Sequence, residues 1–105
     1  MAVKAAWILL IPDSDPKKHR ATIATNMYQG TLVFTRDCDQ AVEVCRSLVR
    51  DEGVQVISLC PAFTNQDVAR IGEAVGEGFP LNVCRSDAPS LMQQYQITKK
   101  DGWYG

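Results

Sequence analysis

A chain of 105 residues, 46% apolar and 22% charged, has the make-up of one ordinary globular domain. On folding, such a domain buries roughly 60–70% of the surface that its unfolded form exposes. Eleven Lys and Arg against twelve Asp and Glu leave a net charge of −1, so no global basic field draws it to nucleic acid. No apolar run approaches the ~18–20 residues that span a bilayer, so no membrane partner is expected either.

The run Trp7-Ile8-Leu9-Leu10-Ile11 follows Lys4 in a loose imitation of a signal peptide. Pro12-Asp13-Ser14-Asp15 halts it and no small-residue cleavage site follows, so Val3 to Ile11 reads as a first strand. Asp15-Pro16 has the form of an N-cap with proline at the first helical position, and predicts a short helix to about Thr25. Asn26 to Gly30 reads as a turn and Thr31 to Thr35 as a second strand. Asp37-Cys38-Asp39-Gln40 is a capping-box pattern ahead of Ala41, Cys45 and Leu48 on one helical face, with Gly53 as the stop. Val54 to Cys60 is a largely apolar run, interrupted by Gln55 and Ser58 and bounded by turn signals, and reads as a buried parallel strand. Thr64-Asn65-Gln66-Asp67 opens another helix, with Val68, Ile71 and Val75 on its inner side and Gly72 where it would lie close to the sheet. Gly76 and Gly78 end it, Leu81 to Cys84 is a fourth strand, and Asp87-Ala88-Pro89 starts a short last helix carrying Leu91, Met92 and Tyr95.

Strands alternating with helices through short links predict a single α/β domain over residues 1–105. The expected form is a small three-layer sandwich of four mostly parallel strands in the order 2-1-3-4. An order following the sequence, as in part of a barrel, is the competing arrangement. In the first order, connections diverge between strands one and three, and ligands of open α/β sheets sit at the carboxyl ends of such strands. Pro12-Asp13-Ser14 and Cys60-Pro61-Ala62-Phe63 would line that crevice.

Val3-Lys4-Ala5-Ala6, the segment Asp15-Pro16-Lys17-Lys18-His19-Arg20, and Leu59-Cys60 with Phe63 ahead of Val68-Ala69-Arg70-Ile71 resemble a family of short bacterial α/β proteins of unknown function. The likeness covers most of residues 3–86. Leu-Cys-x-x-Phe after a strand is its most specific element, whereas Pro61-Ala62 stand here in place of a glycine-rich turn. The resemblance implies a fold and its boundaries, and no activity.

The residues that could carry chemistry are few. Lys17, Lys18, His19 and Arg20 crowd a helix start, where the macrodipole disfavours cations; they either collect an anionic group or splay into solvent beside Asp13 and Asp15. Cys60, at a strand end ahead of a helix, is either a buried structural thiol or a nucleophile served by His19. Asp13 is the nearest general-base candidate. Asp13, Ser14, His19, Arg20, Cys60 and Phe63 form the expected ligand site, and Cys60, His19 and Asp13 its catalytic candidates. No phosphate-cradling glycine motif and no metal-ligand spacing occurs, so neither cofactor nor metal is expected. Cys38, Cys45, Cys60 and Cys84 include no C-x-x-C and read as free thiols of a cytoplasmic protein. Trp103 and Tyr104, within a tail of about residues 97–105, either fold back on their own subunit or meet a second one. A homo-oligomer, in the first instance a dimer, is therefore expected. The composite expectation is a protein binding a small, anionic molecule, with catalysis left open; the alternative is a non-catalytic oligomeric or regulatory module.

Overall fold

In a computed structural model, which describes residues 2–104, Val3–Leu10 is the strand β1 at the centre of a five-stranded sheet. β2 (Arg20–Ala24) and β3 (Tyr28–Thr35) form an antiparallel hairpin, and β3 pairs parallel with β1 from Val3↔Tyr28 to Leu10↔Thr35. Helix α1 (Cys38–Glu52) carries the chain across β1. β4 (Val56–Leu59) then pairs parallel with the other side of β1, from Ala5↔Val56 to Ile8↔Leu59. Helix α2 (Asn65–Val75), strand β5 (Leu81–Val83) and helix α3 (Ala88–Lys100) complete the chain, and the sheet order is β2-β3-β1-β4-β5.

The sheet thus has five strands, not four, although the parallel strands stand in the order β3-β1-β4-β5. The extra strand lies where the sequence predicted a helix. Asp15 to His19 make one turn, with the Lys18 and His19 N–H groups donating to the Asp15 carbonyl at 3.0 and 2.8 Å. Beyond it, β-branched Thr22 and Ile23 resist helix and favour extended chain. Alternation then sets the faces: Thr22 meets Thr31 hydroxyl to hydroxyl at 2.9 Å, while Ile23 points the other way. The crowding of cations at a helix start is no anomaly, because no helix starts there.

Of the predicted helix caps, Thr64 and Asp67 form the full reciprocal box and Asp37 caps α1, but the Gln40 side chain accepts from the Arg36 N–H at 2.8 Å and not from Asp37, and no helix follows Asp15. The Asp37 carboxylate accepts from the Gln40 N–H at 2.9 Å, and Gly53 ends α1 at φ 71°, the left-handed conformation that favours glycine. At α2, the Thr64 hydroxyl accepts from the Asp67 N–H (3.1 Å) while the Thr64 N–H donates to the Asp67 carboxylate (3.0 Å). That backbone donor is the chief reason the Asp67 carboxyl titrates below its ordinary range. Thr64→Ala is expected to cost about 1 kcal/mol in urea unfolding. Because the folded pKa is lowered, Asp67 contributes stability above its unfolded pKa of about 3.9, and this is lost as pH falls through the folded value. Asp67→Ala should therefore flatten the acid limb of stability below about pH 4 while leaving the profile between about pH 5 and pH 7 parallel to wild type. Gly72 is not forced by a close approach: a Cβ there would sit 4.0 Å from Leu81 Cδ2, an ordinary contact.

The core lies on one side of the sheet only. Ile8, Val33, Ile57 and Leu59 face Cys45 and Leu48 of α1 and Ile71 of α2, all of them buried. The links β3-α1-β4 and β4-α2-β5 step in the same direction, and right-handed crossovers then place both helices on the same face. A helix between β1 and β3, stepping the opposite way, would have covered the other face. β2 stands in its place, so the expected third layer does not form. Helix α3 does not supply it either: it is thirteen residues long rather than short, and none of them is buried.

Candidate functional site

Connections diverge at one place in the sheet. β1 leads toward β3 on one side and β4 toward β5 on the other, so the carboxyl ends of β1 and β4 border a crevice. Leu9, Leu10 and Ile11 leave β1 there, and Cys60-Pro61-Ala62 turn away from β4. Between these strand ends and α3 is a cavity of about 870 Å³. Its far wall is apolar and aromatic, with Leu91 and Tyr95 of α3 and Trp103 and Tyr104 behind them. The tail is held on its own helix: the Trp103 N–H donates to the Thr98 carbonyl at 3.0 Å, and Tyr104 stacks on Tyr95 with ring centroids 5.3 Å apart. Gly105, the last residue of that expected tail, lies outside the described residues.

The cavity wall is mostly apolar, with Ser86, Gln94, Gln96 and Thr98 as its neutral polar residues. Cys60 is half-buried and its Sγ accepts from the Leu10 N–H at 3.4 Å, a contact that ties the two strand ends together. Lys99 is the charged residue of the lining, its ammonium 5.9 Å from the Tyr95 ring centroid. A space of this size with mostly apolar walls and one cation suits a small, largely apolar molecule bearing one acidic group.

Of the site residues expected from the sequence, Cys60 lines this cavity and the others do not. Ser14 is buried and its hydroxyl donates to the Ile11 carbonyl at 2.8 Å, so it closes the turn after β1. Asp13 is exposed beside it. The His19 Nδ1 accepts from the Asp15 N–H at 2.9 Å, which fixes the ring to its own turn. Arg20 donates to both carboxylate oxygens of Glu52 at 2.7 and 3.3 Å, on the helix side of the sheet. It borders a separate groove of about 500 Å³ against α1, floored by Val33 and Leu48. Phe63 is buried in the core. Cys60 and His19 therefore lie far apart on the carboxyl edge, with β3 and β1 between their strands. Among the described residues no three His, Cys, Asp or Glu side chains gather as metal ligands.

The α3 wall was legible only in part. Leu91 and Tyr95 were visible as an apolar stripe and Trp103 and Tyr104 as an aromatic tail, but nothing local in the sequence relates them to Cys60.

The model of a family of unknown function (DUF6506) matches residues 3–99, from the start of β1 to the last turn of α3. No curated protein and no solved structure matches the chain. Among the described residues no helix is long and apolar enough to cross a membrane.

Proposed function

We propose that this chain, which belongs to the DUF6506 family of unknown function, binds a small molecule between the carboxyl ends of β1 and β4 and the helix α3. One observation carries the reading: the cavity of about 870 Å³ coincides with the point where the sheet's connections diverge. The ligand is an apolar body, aromatic or branched aliphatic, with a single carboxylate or similar anion directed at Lys99. The basic run Lys17 to Arg20 is not the anion's seat, since Arg20 is engaged by Glu52 and its groove lies against α1. The four free cysteines support a reducing, cytoplasmic setting. The reading assigns binding and no reaction.

A thermal-shift series of aromatic and branched aliphatic monocarboxylates tests it, with tryptophan fluorescence as a second readout. At least one class should raise the melting temperature in a concentration-dependent way, because a ligand selective for the folded state stabilises by mass action. Ala62→Trp, which fills the cavity, should abolish that shift, and Lys99→Gln should weaken it about tenfold or more for carboxylates relative to the matching amides. A flat series, or shifts untouched by Ala62→Trp, refutes the site. The second reading, a module acting through protein contacts, is favoured by the uncovered face of the sheet.

A further inference from the structure

We infer that the open face of the sheet is the seat of a second copy of this chain, forming a two-fold dimer in which α3 of each copy reaches onto its partner. The inference needs the face and not an occupant of the cavity, although Met92 and Ile97 of α3 also border that cavity.

The face itself supplies the first argument. The register puts Val3, Trp7 and Leu9 of β1 beside Tyr28, Leu32 and Phe34 of β3, with Ala21 and Ile23 of β2 continuing the row. Not one side chain that β1, β2 and β3 direct to this face is charged. The charges of the same strands, Lys4 and Arg20, fall on the helix side, where Arg20 pairs with Glu52. A water-facing antiparallel or mixed sheet ordinarily alternates apolar inside with polar outside. Here both sides are apolar, as in a sheet covered twice. Yet Trp7 is 43% exposed, Leu32 38% and Ile23 79%.

Helix α3 supplies the second. A thirteen-residue helix with no buried residue is marginal in water, because helices of that length depend on packing for their stability. Met92 and Ile97 are 69% and 62% exposed. The helix stands at the carboxyl end of the same open face, since Leu9 of that face lines the cavity beneath it. A copy seated on the face therefore meets the helix as well, at apolar side chains such as Met92.

Area argues for an occupant of dimer size. The chain exposes 7218 Å², whereas a folded monomer of 11.6 kDa exposes about 5,800 Å². The excess of about 1,400 Å² per chain exceeds the roughly 800 Å² per partner of a standard interface and falls in the range of obligate homodimers. Its radius of gyration of 14.2 Å is likewise above the roughly 13 Å of a compact chain of this length. The uncharged apolar face of β1, β2 and β3 is self-complementary in its chemistry, which is what a two-fold axis requires, because the same patch then meets itself.

Light scattering on the eluting full-length protein at tens of micromolar tests the inference. The expected mass is twice 11.6 kDa. Trp7→Glu should give the single-chain mass with an unchanged circular dichroism spectrum. Should that variant fail to fold, Ile23→Lys serves instead: its side chain is too exposed to matter within one chain, and it should raise the dissociation constant at least tenfold. Met92→Glu should weaken the dimer similarly. Val83→Glu, at a comparably exposed apolar site on the helix side of the sheet, should leave the mass unchanged. A wild-type chain already of single-chain mass overturns the inference, as does a dimer indifferent to both Trp7→Glu and Ile23→Lys. A dimer indifferent to Met92→Glu removes α3 from the contact.

Discussion

Replacing Ile8 with alanine is expected to lower the free energy of unfolding by about 3–5 kcal/mol, the upper part of the range for such truncations. Ile8 lies in the central strand, opposite Val33 on one side and Leu59 on the other, and all three are fully buried. Cys45, Leu48 and Ile71 roof them from α1 and α2. No neighbour can collapse into the void without pulling a strand or a helix out of register, so both the lost transfer energy and the cavity count against the fold. A domain of this size has about 5–15 kcal/mol in all, so one side chain accounts for a large share. Urea titration should show the midpoint falling at nearly constant slope. Val83→Ala, at the exposed edge strand, should change stability by no more than about 0.5 kcal/mol. A loss below about 1 kcal/mol for Ile8→Ala would mean that the core is not centred where the sheet puts it.

The second large effect is chemical. At pH 8, Cys45 in the folded protein should react with a thiol reagent at least ~1,000-fold more slowly than in denaturant. Burial pushes its thiol up to about 12. The reactive thiolate is then about one part in ten thousand at pH 8, against roughly a quarter for an ordinary cysteine with a pKa near 8.5. Cys38 is also raised, first by burial and then by its hydrogen bond with Asp67, and should lag an ordinary cysteine. Cys60 and Cys84 are half-buried and should label before Cys45. A mass-spectrometric time course resolves the four sites. Early labelling of Cys45 would contradict its place beneath the sheet. Fast labelling of Cys60 alone, with a midpoint well below about pH 8.5, would instead revive its candidacy as a nucleophile.

Where local signals and burial agreed, the sequence was sufficient. Asp37 and Gly53 bracket α1, and Thr64 with Asp67 caps α2, because these devices are satisfied by atoms within five residues of one another. The strand ends of β1 and β4 could be located for the same reason, each being an apolar run cut by a turn. The segment from Asp15 to Ala24 misled because two local signals conflict there. Asp15-Pro16 says helix for one turn, and Thr22-Ile23 says strand, and pairing with β3 settled the matter through contacts no window of sequence contains. The error spread: treating that segment as a helix covered the second face of the sheet and hid its exposure. The candidate site was half legible for a related reason. Its floor follows from topology, but its α3 wall is set by how residues 84–87 turn the chain, and that is a tertiary outcome. His19 and Arg20 looked available because a sequence shows charges and not their partners; Asp15 and Glu52 occupy them.

The central position of β1 has a consequence for synthesis on the ribosome. The first strand to emerge is the one that needs two neighbours, and they arrive at different times. β3 follows closely and, with β2, covers one flank as a hairpin. The other flank waits for β4, whose last residue is Leu59, about 50 residues after Leu10, or some 2–10 s at ordinary rates of elongation. During that interval Trp7-Ile8-Leu9-Leu10 presents an unpaired, uncharged edge, the feature that recruits strands from other chains. Nascent fragments ending within α1 should therefore be the aggregation-prone intermediates, and release of a chain before Leu59 should yield insoluble product where release after Val83 does not.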